Sequence, residues 1–234
     1  MLPRQASQQR REIAVTYTFR FDAVYNNLPF LLDGLYLTLL ISGLALVFSM
    51  VLGMFVALGR LSRSRILSLA SAAYVELFRD TPVLVQLFWV YYVLPILLGI
   101  RIDAISAAVL GLTLHSTAFL GEIYRAGIQV VPKGHTEAAK VLGLSPRDTF
   151  VRIVLPQAIR NVLPPMVNNL VDLIKLSSLA SVFAVAEITR KATELSASTF
   201  RPLEIFSFVA LLYFFICWPL SLLIRVLERR MQVA

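Results

Sequence analysis

Leu35–Gly59 reads LYLTLLISGLALVFSMVLGMFVALG and contains no Asp, Glu, Lys or Arg. A helix needs about 20 predominantly apolar residues to cross the core of a bilayer, and this run exceeds that length. Thr81–Ile100, Ala104–Gly121 and Ile205–Ile224 also lack charged residues. A fifth stretch, Asn161–Ala186, is long enough but carries Asp172 and Lys175. Backbone polar groups in lipid must be satisfied within the segment, which makes helices the default spanning element. The sequence therefore predicts an all-α integral membrane protein of about five transmembrane helices. These form one domain over residues 23–234, behind a basic arm over residues 1–22.

Composition agrees. The chain is 58% hydrophobic and 15% charged, against about 25% charged in soluble domains. Its net charge of +8 does not point to nucleic acid, because basic residues flanking membrane spans set orientation. Arg60, Arg63 and Arg65 form one cluster, Lys133, Lys140, Arg147 and Arg152 a second, and Arg225, Arg229 and Arg230 a third. Even numbers of spans separate the three, so all can share the cytoplasmic side. The amino terminus then lies outside, with the loops near Arg101 and Glu187–Glu204, and the carboxyl terminus inside. Arg4, Arg10, Arg11 and Arg20 of the arm pull the other way and are outweighed. Cys217 is the one cysteine; it excludes an intrachain disulfide and reads as a small core residue. The first long apolar run, from about Leu28, is too long for a cleaved signal segment. Arg65–Arg79 is too short to span and leads into the second helix, which Thr81-Pro82 should bend.

Glu137–Pro156, EAAKVLGLSPRDTFVRIVLP, is the polar exception. Ser145 can cap free N–H groups and Pro146 fits a first helical position, with Asp148 favoured in the first turn. Glu137–Leu142 are good helix formers and end at Gly143, a terminator. The loop over residues 132–156 is thus a short helix, a glycine turn and the start of a long helix. Ala138 and Ala139 keep one face thin. Such a helix is either a docking handle for a partner or an interfacial helix resting on lipid headgroups.

Glu137-Ala138-Ala139, Gly143, Ile153 and Leu155-Pro156 resemble the EAA loop of ABC importer permeases. ELFRDTPVLVQLFWVYYVLP, FLGEIYRAGIQVVPKG and NNLVDLIKLSSLASVFAVAEITR are similar to other segments of the polar amino-acid uptake branch. The likeness runs from about Phe30 to the end. It implies a permease subunit in the bacterial inner membrane, with a cytoplasmic coupling helix between the third and fourth spans. Two ATPase subunits, a second permease subunit (identical or paralogous), an external substrate-binding protein, an amino-acid substrate and lipid are the implied partners. Glu137, Ala138, Ala139, Gly143, Leu155 and Pro156 would carry the coupling. The chain has no G-x-x-x-x-G-K-[ST] phosphate loop. No cofactor is therefore expected here, ATP and Mg belong to the partner ATPase, and the chain itself is not an enzyme.

Charges within a span usually face a cavity or a partner. Asp172 and Lys175 are three apart and can share a helix face with Asn168. Pro164-Pro165 should interrupt the helix just before them, leaving irregular backbone of the kind that lines a cavity. Asp172 could meet an amino acid's ammonium, and Lys175 or Ser177 its carboxylate; the alternative is an internal ion pair that orders the helix. The family often carries an acid or amide after this lysine, where the chain has Leu176. Glu122 and Arg125 read as a structural pair or a gate. Arg79, Thr81 and Gln86 surround the Pro82 bend, with Arg79 expected to brace it. His115 reads as a packing residue with a satisfied ring, and Trp89, Tyr91 and Tyr92 as an interface belt or core. A secondary carrier or channel would use Asp172 and Lys175 but has no need of the loop spacing. A scaffold would not bury those charges, and no hydrolytic or metal constellation is present.

Overall fold

A computed structural model describes residues 17–232, with side chains described as far as Arg229. Most of the basic arm, and the Arg230 side chain, lie outside the described residues. The helices are α1 Asp22–Asn26, α2 Leu28–Leu61, α3 Arg65–Arg79, α4 Val83–Phe88, α5 Leu94–Leu98, α6 Ala104–Gln129, α7 Lys133–Val141, α8 Pro146–Thr149, α9 Leu155–Leu176, α10 Ile188–Thr199 and α11 Pro202–Gln232. Two five-residue π-turns, Trp89–Val93 and Phe150–Val154, and the 3₁₀ segment Ser177–Phe183 complete the path.

Among the described residues four helices are long and apolar enough to cross a membrane: Leu28–Leu61, Ala104–Gln129, Pro146–Phe183 and Pro202–Arg229. Arg65–Arg79 and Val83–Leu98 qualify together but meet at 106°; counted as one span they make five. The bend falls where Pro82 was expected to place it. Gln86, rather than Arg79, holds it together. Its Nε2 donates to the Phe78 carbonyl at 2.8 Å and to the Thr81 carbonyl at 2.9 Å, while Thr81 Oγ1 donates to the Leu77 carbonyl. Tyr91 and the half-exposed Tyr92 pack on Phe183 with ring centroids 5.2 and 6.1 Å away, whereas Trp89 is exposed.

α2 is apolar all round, so hydropathy alone assigns it no inner face. Apart from Leu31 and Ile41 its buried residues are small ones: Gly34, Thr38, Ser42, Ala45, Ser49, Gly53 and Ala57 recur every three or four positions. The large side chains Phe48, Val51 and Phe55 face outward. Lipid is as apolar as leucine, so helices in membranes associate by close packing of small residues. α2 and α6 run in the same direction, with Ile41 clustered with Ala108 and Leu112, and Ala57 with Leu120 and Tyr124. A Cβ on Gly53 would stand 2.9 Å from Leu120 Cβ, and one on Gly121 would stand 2.6 Å from Val56 Cγ1. α9 returns between them, and α11 packs Cys217 against Val171 and Ile174.

One end of the bundle is sealed by two carboxylates buried to 0% exposure, Glu187 and Glu204. Glu187 caps α10, accepting from the Thr189 and Arg190 amides at 2.9 and 2.7 Å. Glu204 accepts from the Tyr17 hydroxyl and from the Arg20 amide, the latter at 2.9 Å. The carboxyl ends of α2, α6 and α11 and the start of α9 lie at the other end. The described basic side chains of the three clusters gather there.

The sequence expectation fails at Pro164-Pro165. Both lie inside a continuous α9. Proline's fixed φ is helical; it removes an N–H and crowds one carbonyl, and neighbouring helices in a membrane can make good that loss. The irregular backbone sits elsewhere, at the two π-turns. Each runs straight into a Leu-Pro dipeptide, Leu94-Pro95 and Leu155-Pro156. The Leu94 amide bonds the Trp89 carbonyl and the Leu155 amide the Phe150 carbonyl, an i→i−5 register.

Candidate functional site

The loop is built from local chemistry. α7 starts at Lys133, earlier than Glu137, with Pro132 before it. It ends in a Schellman motif: the Leu144 amide bonds the Ala139 carbonyl and the Gly143 amide the Lys140 carbonyl, both at 3.0 Å. Gly143 takes the left-handed conformation this requires, at φ +76°. Ser145 Oγ then accepts from the Asp148 amide at 3.1 Å, and Asp148 pairs with Arg152 at 3.4 Å. His135 Nδ1 meets Gln157 Oε1 at 3.0 Å and ties α7 to the start of α9.

Glu137, Ala138 and Gly143 are exposed. Val141 and Leu142 join them at 88% and 78% exposure, an apolar tip the sequence reading did not single out. Ala139 is the exception to the predicted face. It is 1% exposed, because one residue is a 100° step around a helix and the next position turns inward. Leu155 and Pro156 are exposed at the head of α9.

The second region is a cavity of about 260 Å³ between α4, α6 and α9. Asp172 and Lys175 line it with Oδ1 and Nζ 3.5 Å apart. Their side chains are 63% and 57% exposed, so the pair is open on one side. Asn169 and His115 supply its buried polar wall, and Val83, Phe119, Leu173 and Leu176 its apolar wall. Asn169 Oδ1 accepts from Ser116 Oγ at 2.5 Å. His115 Nδ1 faces Gln86 Oε1 at 3.1 Å, which links the cavity wall to the α3–α4 bend.

Two predicted residues are not part of this wall. Asn168 is exposed and points elsewhere on α9, and its neighbour Asn169 is the one turned inward. Ser177 is 0% exposed and donates its hydroxyl to the Ile174 carbonyl at 2.8 Å. The 3₁₀ segment that begins at Ser177 carries it away from the pair. His115, read from sequence as a packing residue with a satisfied ring, is hydrogen-bonded and also lines the cavity.

Phe119 separates this cavity from a second one of about 400 Å³, lined by Arg79, Glu122, Asn161 and Pro165 among others. The Arg79 guanidinium lies 5.4 Å from the Phe119 ring centroid. Glu122 holds Arg125 at 2.6 Å and Arg60 at 2.9 Å. Arg60, which reaches across from α2, was not foreseen as part of that pair. Hydropathy had assigned it to an orienting cluster, and only the α2–α6 packing brings it to Glu122.

Residues 49–233 match the family described as binding-protein-dependent transport system inner membrane component. The chain is 38% identical over 216 residues to the glutamine transport system permease protein GlnP of Escherichia coli (strain K12), covering 92% of this chain and 99% of that one. It is 40% identical over 205 residues to the L-cystine transport system permease protein TcyB of Bacillus subtilis (strain 168), covering 87% of each. A chain from the crystal structure of an amino acid ABC transporter with histidines superposes with a TM-score of 0.85 at 34% identity, over 92% of this chain and 100% of that chain. A chain of the MetNI methionine ABC transporter matches with a TM-score of 0.69 at 19% identity, which is a likeness of fold.

Proposed function

The chain belongs to the family of binding-protein-dependent transport system inner membrane components, and from that premise we propose that it is the permease subunit of an ATP-driven importer of a polar amino acid. As a member it is a multi-pass inner-membrane protein and a transporter subunit rather than an enzyme. The observation that carries the finer reading is the Asp172–Lys175 pair in an open cavity. A carboxylate and an ammonium side by side complement the ammonium and carboxylate of an amino acid. Each substrate charge replaces part of what the pair gives itself, so binding does not leave an isolated charge in the membrane.

The loop is the mechanical input. α7 presents Glu137, Ala138, Val141, Leu142 and Gly143 outward, and it leads through α8 and the second π-turn directly into α9, which carries Asp172 and Lys175. Two ATPase subunits hold ATP and Mg, and closing on ATP they push the paired coupling helices. The push travels along α9 and alternately opens the cavity to either side. The second permease subunit lies across the open side of the cavity, and an external binding protein delivers substrate at the end sealed by Glu187 and Glu204. In this reading the opposite end is cytoplasmic and the amino terminus outside, which the basic side chains at that opposite end support. Arg79 and the Arg60–Glu122–Arg125 cluster then stand on the exit side of Phe119. A secondary carrier acting alone would have no use for an exposed apolar tip on α7.

Glu137→Lys tests the reading. The variant should lose the co-purifying ATPase, or retain ATP hydrolysis that no longer drives uptake in proteoliposomes. Undiminished uptake without any ATPase would sink the proposal.

A further inference from the structure

We propose that the cavity selects an amino acid whose side chain ends in a carboxamide; this rests on the amino-acid reading above and adds the substrate class. The argument begins at Gln86. Its Nε2 donates to two backbone carbonyls, of Phe78 and Thr81, which have no proton to give. The amide orientation is therefore fixed, and Oε1 is the atom that faces His115 Nδ1 at 3.1 Å. An oxygen there only accepts, so Nδ1 carries the proton. In the neutral ring the other nitrogen, Nε2, is then a bare acceptor. Among the described residues His115 makes its side-chain hydrogen bond through Nδ1 alone, and the ring lines the cavity.

Asn169 is the complement. Its Oδ1 accepts from Ser116 Oγ, which leaves the amide nitrogen as a donor in the same wall. Ser116 follows His115 on α6, so one helix turn sets both groups. His115 and Asn169 are 7% and 8% exposed, so each pays heavily for an unmet hydrogen bond. One neutral donor and one neutral acceptor lining the same cavity match the C=O and the NH₂ of a carboxamide.

Other side chains fit less well. A carboxylate would turn an anionic oxygen toward the His115 lone pair. A cationic side chain finds no anion, because Asp172 already faces Lys175 and the substrate's own ammonium. An aliphatic side chain would suit Val83, Phe119 and Leu176 but would leave both polar groups unmet. Leu176 narrows the choice further, since it adds an apolar surface and no charge beside the pair.

The test uses the full chain in lipid nanodiscs with its ATPase and without the binding protein, so that only the cavity discriminates. Binding of radiolabelled L-glutamine, L-glutamate and L-norleucine is measured at equilibrium. Glutamine should bind about ten- to hundredfold tighter than the other two, as expected for two buried hydrogen bonds. His115→Phe and Asn169→Leu should each erase most of that preference while norleucine affinity stays within about twofold, which also shows that the cavity is still formed. Norleucine or glutamate binding as well as glutamine in the unmodified chain overturns the carboxamide assignment and leaves the amino-acid reading intact. A preference that survives both variants overturns it as well. Failure of all three ligands to bind overturns both.

Discussion

The loop around Gly143 and the cavity around Asp172 lie near opposite ends of α9, and they are built by opposite means. In the loop most contacts join residues a few positions apart, Gly143 to Lys140, Leu144 to Ala139 and Asp148 to Ser145, with His135 to Gln157 the longer tie. In the cavity the buried polar groups are fixed by another helix, His115 by Gln86 of α4 and Asn169 by Ser116 of α6, while the exposed Asp172–Lys175 pair is internal to α9. Under the proposed function, the part that meets an outside partner is held mostly by its own sequence. The part that opens and closes is assembled from pieces that can separate.

That contrast can be broken. Gly121→Leu should have the largest effect, because its side chain must enter the α2–α6 seam within reach of Val56. A cost of about 3 kcal/mol or more should appear as lost monodisperse protein in fluorescence-detected gel filtration, with the cavity lost along with it. Asp172→Ala should come next, lowering uptake about ten- to hundredfold while the ATPase still co-purifies; normal uptake would return the pair to a purely structural role. Gly143→Val forces a β-branched residue into φ +76° at about 1–2 kcal/mol. It should weaken ATPase docking and leave amino-acid binding in nanodiscs unchanged. Ser145→Ala removes one cap worth about 1 kcal/mol and should speed hydrogen exchange at the Asp148 amide without altering binding. Any effect of these two loop changes on cavity affinity would mean that the two regions are not independent in the resting state.

The same contrast explains what the sequence disclosed. Spans follow from hydropathy, and the glycine turn and serine cap from spacing, because each depends on neighbours along the chain. The bend at Pro82 was legible, but Gln86 as its clamp was not, since a buried amide carries no periodic signature. Asn169 was missed in favour of Asn168 because helical spacing from Asp172 does not separate adjacent residues on so broad a face. Glu187 and Glu204 looked like loop charges. Their burial depends on Thr38 and Tyr17, far away in the chain. The doubled proline pointed to a break because its missing N–H is easy to count, whereas a continuous helix there depends on surroundings the sequence does not display.

The π-turn at Phe150–Val154 has a consequence for how this protein can change through descent. An i→i−5 turn holds one residue more than an ordinary turn. Loss of a single codon there would let the helix close as an ordinary α-helix and would leave everything after it in nearly the same orientation. Loss of a codon from the regular helix between this turn and Asp172 would instead turn Asp172 and Lys175 by about 100°. The wide turn is thus slack in the thread of α9, one residue that can be given up at its start without moving the cavity wall.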